Sequence, residues 1–192
     1  MSAIARCFHQ ILLLFALLGQ PVSAADLTAG DLADEDVDVS YRDGTYSARL
    51  SFPVAATPST ALAVLTDFDH MVGVVPNLES SRIVSRTRRI FIIEQRGKAD
   101  FGPFSVRFES RRRVELFPDG RLVADALSGS TKYMHSELRV LAQGRGARID
   151  YQAEMIPDRW LPSSLGVSFM RHELAEQFNA LRREMERRQA AA

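Results

Sequence analysis

The chain has 192 residues, with 24 basic and 24 acidic side chains and a formal net charge of zero. That balance argues against nucleic-acid binding, which calls for a clustered basic surface. The single cysteine, Cys7, falls near the N-terminus, so disulfide and thiol chemistry are excluded from everything after it.

Residues 1–24 read as a secretory signal peptide. MSAIAR is a basic start, CFHQILLLFALL a short apolar core, and PVSAA a small-residue cleavage region. About a dozen apolar residues are too few to span a bilayer, and the flanks suit cleavage, expected after Ala24. Cys7 is not at the cleavage point, which argues against a lipoprotein. The expected location is therefore the periplasm. Residues 25–38 (ADLTAGDLADEDVD) are acidic, small and aperiodic, and are expected to form a flexible leader. Residues 39–190 remain as one domain. With the leader they make a chain that buries about 70% of its unfolded surface, enough for a core and a cavity. No second apolar stretch is long enough to cross a membrane.

VDVSYRDGTYSARLSF alternates apolar and polar residues around Asp43-Gly44, a pair favoured in tight hairpin turns. In TPSTALAVLTDF, Thr57 is suited to cap a short helix and Pro58 to start it. DFDHMVGVVPNL predicts a second short helix or turn ending near Pro76. The alternating segments SRIVSRT, RIFIIEQRGKADF, FSVRFESRRRVELF, RLVADALSGS, MHSELRVLA and ARIDYQAEMI follow. Breaks at Gly102-Pro103, Pro118-Asp119-Gly120, Gly129 and Gly144-Arg145-Gly146 join them as an antiparallel meander. A long final helix carries one apolar stripe at helical spacing: Val167, Met170, Leu174, Phe178, Leu181 and Met185. The class is α+β, with that helix laid against the sheet.

Strand alternation assigns the inner face. In the last strand Arg148, Asp150, Gln152 and Glu154 point outward, leaving Ala147, Ile149, Tyr151, Ala153 and Met155 inside. Charged Glu94, Arg96, Lys98 and Asp100 likewise leave Phe91, Ile93, Gln95, Gly97, Ala99 and Phe101 inside. Leu122, Ala124, Ala126 and Ser128 face in from the next-but-one strand. Met134, Ser136, Leu138 and Val140 do so from the strand after it. A sheet face so rich in Gly, Ala and Ser, under a helix, leaves a cavity unless aromatics such as Phe68, Trp160, Phe169 and Phe178 fill it.

The run Arg111-Arg112-Arg113 sharpens the point. Phe104, Val106, Phe108, Ser110, Arg112, Val114 and Leu116 share the apolar face, so Arg112 is aimed inward, where an unpaired charge is expensive. Either it meets the polar end of a ligand, or the strand bulges there and the guanidinium reaches out with its stem packed.

VLTDFDHMVGVVPNLESSRIV and the ending YQAEMIPDRWLPSSLGVSFMRHELAEQFNALRREMERR resemble the opening and closing segments of START-type (SRPBCC) domains. The resemblance covers about residues 45–188 and is nearest to the polyketide cyclase/dehydrase and coenzyme Q-binding START branch. It implies a helix-grip fold, an antiparallel sheet wrapped around the C-terminal helix, with a hydrophobic pocket between them. It also implies a lipid, quinone, polyketide or other small apolar ligand. The expected function is carriage or sensing of such a ligand, with a cyclase, dehydratase or hydrolase using Arg112 with Gln95 or Tyr151 as the alternative. The expected ligand-binding residues are Phe68, Phe91, Ile93, Gln95, Phe101, Phe104, Val106, Phe108, Ser110 and Arg112. From the later segments they are Ala124, Ala126, Met134, Ser136, Leu138, Tyr151, Met155, Trp160, Met170, Leu174 and Phe178.

No cofactor and no metal are expected. His70, His135 and His172 lack ligand spacing and read as surface or loop residues. Asp67 and Asp69 flank Phe68 at a helix junction, where carboxylates cap the backbone more often than they form acid/base pairs. Gly-x-Ser-x-Gly, phosphate-loop and dinucleotide motifs do not occur. The arginine clusters interleaved with Glu read as solvated faces, with transient contact to an anionic membrane surface as the alternative.

Overall fold

In the computed structural model, which describes residues 30–101, 104–158 and 163–192, Asp43 and Gly44 take φ of 49° and 86°. They form the expected turn between β1 (Asp38–Arg42) and β2 (Thr45–Val54). The signal peptide, residues 25–29, the Gly102-Pro103 break and Trp160 lie outside the described residues, as do the side chains of Phe101 and Phe104. α1 (Pro58–Leu65) starts where Thr57 Oγ1 accepts the Thr60 N–H at 3.2 Å, with Pro58 in the first turn. A 3-10 turn at Phe68–His70 then leads through Gly73 into the sheet.

β3 (Leu78–Arg86), β4 (Ile90–Phe101), β5 (Phe104–Leu116), β6 (Arg121–Gly129), β7 (Thr131–Gln143) and β8 (Gly146–Pro157) follow, then α2 (Ser163–Ala190). Among the described residues eight antiparallel strands form one sheet in the order β1-β2-β8-β7-β6-β5-β4-β3. The meander β3 to β8 needs only short turns, and β2 closes the pattern against β8. The sheet curls around α2, as the helix-grip resemblance implies.

α2 does not pack evenly. Phe178, Leu181 and Met185 are buried, and Phe178 meets Phe52 edge-on at 5.7 Å and Tyr151 at 4.9 Å between ring centroids. Val167, Met170 and Leu174, nearer its N-terminus, are only half-buried. The C-terminal half of the stripe closes the core, while the N-terminal half packs against its edge. Phe91 and Ile93 are 2% and 0% exposed within that core, with Phe91 edge-on to Phe68 at 5.5 Å.

The second half of the expected flexible leader is instead packed on α2. Asn179, itself buried, accepts the Leu32 N–H at 2.8 Å and donates to the Leu32 carbonyl at 2.9 Å. Arg182 donates to the Gly30 carbonyl at 2.9 Å and to Asp31 at 2.6 Å, and Val37 is 1% exposed. Composition misled because the anchoring groups lie some 150 positions downstream.

Of the two junction carboxylates expected to bind backbone, Asp69 does so and Asp67 does not. Asp67 precedes the 3-10 turn without a side-chain cap bond and instead pairs with His70 at 2.6 Å and Arg188 at 2.8 Å. Asp69 accepts the Ile83 N–H at 2.7 Å, so the two carboxylates serve different partners.

Candidate functional site

The β4–β5 ladder runs without interruption from Ile90↔Glu115 to Phe101↔Phe104, so the alternation of β5 is preserved through all three arginines. The irregularity lies in the neighbouring strand. Arg111 pairs with Ser128 and Arg112 with Ala126, which leaves Leu127 as the extra residue of a bulge in β6. Leu127 is 53% exposed. Ser128 therefore shares the outer face with Arg111, contrary to its expected inward position. A one-residue bulge reverses every facing beyond it.

Arg112 consequently stays inward, on the wall of a cavity of about 400 Å³ between the inner sheet face, the 68–78 segment and α2. Ser110, Val106 and Phe108 line it from the same strand, with Gln95 from β4 and Ala124 from β6. Met134, Ser136 and Leu138 of β7, Tyr151 and Met155 of β8, Phe178 of α2 and Phe68 complete the expected residues that reach the wall. Ala126 faces in opposite Arg112 but does not border the cavity. Phe91, Ile93, Met170 and Leu174, expected there, pack into or against the core instead. The expected aromatic fillers Phe68, Phe169 and Phe178 stand in the wall and leave the space open.

The polar groups of the wall are connected. Gln95 lies one diagonal step from Arg112 across the ladder, close enough for side chains to meet. The Arg112 guanidinium donates to Gln95 Oε1. Gln95 Nε2 donates to Ser81 Oγ at 3.0 Å, and Ser81 Oγ donates to the Phe68 carbonyl. Because a guanidinium only donates, it fixes which end of the Gln95 amide faces it. A relay thus ties the cation to the 3-10 turn.

The charge itself is not neutralised. Among the described residues Arg112 is in no ion pair, and its Nε is buried without a hydrogen-bond partner. Arg112 is half-buried, and the cavity wall includes it. Burial pushes its pKa below the ordinary arginine value, partly offset by Tyr151. Burial raises Tyr151 in turn, against the pull of Arg112 and of a hydrogen bond with Ser136. A guanidinium remains charged under such a shift.

Several wall residues were not singled out by the sequence. Leu65 ends α1, and Met71 and Val75 come from the segment joining the 3-10 turn to the sheet, where no strand alternation applies. Glu173 and Gln177 come from α2, four positions apart on one flank of its apolar stripe. That adjacency was the available signal. Exposed Arg107, Glu109 and Ser130 mark where the cavity meets solvent.

The three histidines lie away from the wall. His135 pairs with Asp125 at 2.7 Å, and His172 lies 3.4 Å from Asp34. Among the described residues no three His, Cys, Asp or Glu side chains gather as a metal site, and no helix is long and apolar enough to cross a membrane.

Among curated proteins, none is significantly similar in sequence to the chain. Solved structures share its fold. The Zhui aromatase/cyclase from Streptomyces sp. R1128 superimposes with a TM-score of 0.62 at 15% identity, over 77% of this chain and 98% of that one. A STAR-related lipid transfer protein fragment from Xanthomonas axonopodis gives 0.62 at 14% identity, over 78% and 98%. A START superfamily protein from Mycobacterium smegmatis gives 0.59 at 11% identity, over 76% and 97%. Residues 45–186 match the family described as polyketide cyclase/dehydrase and lipid transport. With that match over most of its length, the chain belongs to the polyketide cyclase/dehydrase and lipid transport family, and its fold around the cavity is the one these START-type structures share.

Proposed function

We propose that the protein is an exported, periplasmic carrier or sensor that holds a small hydrophobic ligand with an oxygen-bearing head, such as a lipid acid, quinone or polyketide-like compound, in the cavity under α2. The observation that carries this reading is Arg112, a cation on an otherwise largely apolar wall with no anion beside it. Leaving such a charge unpaired is unfavourable, and a carboxylate or carbonyl oxygen accepting from its free donors removes the penalty. The volume suits an occupant of modest size, at the lower end of the range for small-molecule sites. Family membership and the lipid transfer protein of the same fold support the same class of ligand.

Native mass spectrometry of protein isolated gently from the periplasm tests the reading. A co-purifying hydrophobic compound is expected, together with binding of added decanoate or a short-chain quinone. Protein found only in the cytoplasm, or periplasmic protein that arrives empty and binds neither probe, would overturn it.

A second reading rests on Tyr151, which shares the wall with Arg112. In an enzyme of the cyclase class, Arg112 would stabilise a developing enolate oxygen while the Tyr151 hydroxyl held a proton nearby. Conversion of a polyketone by wild type but not by a folded Arg112→Ala protein would favour this over carriage.

A further inference from the structure

The cavity carries a second polar position, on α2 and distant from Arg112. Glu173 lines it, half-buried, and among the described residues its two carboxylate oxygens receive only the Asn77 side-chain amide, at 3.3 and 3.1 Å. A carboxylate has about four acceptor sites, so most of its capacity remains open. Among the described residues Glu173 is in no ion pair within 4.0 Å, and the nearby carboxylates of Glu176 and Asp100 add negative charge. Burial raises its pKa, opposed first by the Asn77 hydrogen bond; the charges of Glu176, His172 and Asp100 act more weakly, His172 alone of these lowering it.

The position is held firmly. Asn77 has a positive φ of 64°, and its carbonyl accepts the Lys98 N–H at 2.9 Å. Gly97 makes room for that carbonyl, since a Cβ there would collide with it. Gln177, one helical turn along, offers a further amide to the same space.

The two stations are well separated. Arg112 pairs with Ile93, whereas Leu78, next to Asn77, pairs with Gly97. Three residues of β4 lie between those pairings, four steps or about 13 Å of strand. One end of the cavity therefore presents a donor-only cation and the other an acceptor anion, with apolar walls between.

We propose that the ligand is two-headed: an anionic or carbonyl oxygen seats against Arg112, and a hydrogen-bond donor, amine or hydroxyl, seats against Glu173. This deepens the hydrophobic-ligand reading and rests on it. It assigns Glu173 as a specificity-determining residue that rewards a polar tail which a purely apolar pocket would reject.

Calorimetric titration of the mature chain with decanoate, ω-hydroxydecanoate and ω-aminodecanoate distinguishes the two claims. The ω-amino and ω-hydroxy probes are expected to bind at least fivefold tighter than decanoate. Glu173→Gln should abolish the advantage of the amine while decanoate still binds. Arg112→Met should weaken all three by a similar factor. Glu176→Gln, which removes a neighbouring charge outside the wall, should preserve the discrimination. If decanoate binds as tightly as both substituted probes, or if Glu176→Gln removes the preference as Glu173→Gln does, the two-headed ligand is excluded while hydrophobic binding stands. If none of the three binds, both readings fall.

Discussion

Arg112 and Gln95 sit diagonally across the β4–β5 ladder, and the guanidinium donates to the amide oxygen of a residue that is itself 8% exposed. A buried cation whose bonded partner is neutral is a weak stabiliser, because the amide returns only part of the lost hydration. Arg112→Met keeps an unbranched stem of similar reach and removes the charge. Chemical denaturation is expected to show stability unchanged or raised by about 1 kcal/mol. Affinity for decanoate is expected to fall tenfold or more, since hydrogen bonds to charged groups contribute about 1.5–3 kcal/mol. A loss of stability near 3 kcal/mol would instead mark the arginine as structural.

Much of this was legible in the sequence, and the boundary of legibility is physical. Period-two alternation placed Gln95, Arg112, Ser136 and Tyr151 inward because unbroken ladders keep facing. It misplaced Ser128, because Leu127 bulges and alternation carries no record of a partner strand. Helical spacing found the α2 stripe but could not tell Met170 and Leu174, which lie against the core, from Glu173 and Gln177, which reach the cavity. Leu32 and Asn179 were invisible as partners, since composition is local and their pairing is not.

Gly97 meets its neighbours through a missing atom. A side chain there would collide with the Asn77 carbonyl and the Phe108 ring, and both line the cavity. Gly97→Ala is expected to destabilise the protein by about 2 kcal/mol by overpacking. It should also displace the 71–78 segment and weaken decanoate binding. Retained stability in urea titration would mean that this segment yields freely.

The packed leader makes its own prediction. Arg182 is 4% exposed and bonds both the Gly30 carbonyl and the Asp31 carboxylate. Arg182→Ala removes both contacts and leaves Asn179 as the main tie to residues 30–33. Limited proteolysis should then cut within residues 30–36 several-fold faster, with a stability loss of about 1–3 kcal/mol. An unchanged cleavage rate would show that Val37 and β1 hold the segment without the arginine.

The α2 C-terminus joins the 67–70 turn through a charged chain whose pH response has a definite sign. Glu184 is held at about 2 by hydrogen bonds from Arg187 and then, against a burial penalty, from Arg188. Asp67 is lowered too, because its bonds to His70 and Arg188 outweigh its burial. Both carboxyls have folded values below their unfolded ones, so their contribution is complete above about pH 4.5 and is lost as pH falls towards 2. Arg187, the partner with the largest effect, is 66% exposed, so solvent screens the pair and the network is worth only about 1 kcal/mol. His70 is raised, chiefly by its hydrogen bond to Asp67. Its contribution is therefore complete below the ordinary histidine value and fades as pH rises through the higher folded one. In urea titrations the difference between wild type and Arg188→Ala should be constant from pH 5 to 6 and shrink steadily below 4.5. A His70→Gln protein should lose the wild-type gain on acidification from about pH 8 to 6 and keep the loss below 4.5, because only the carboxyls titrate in the acid window.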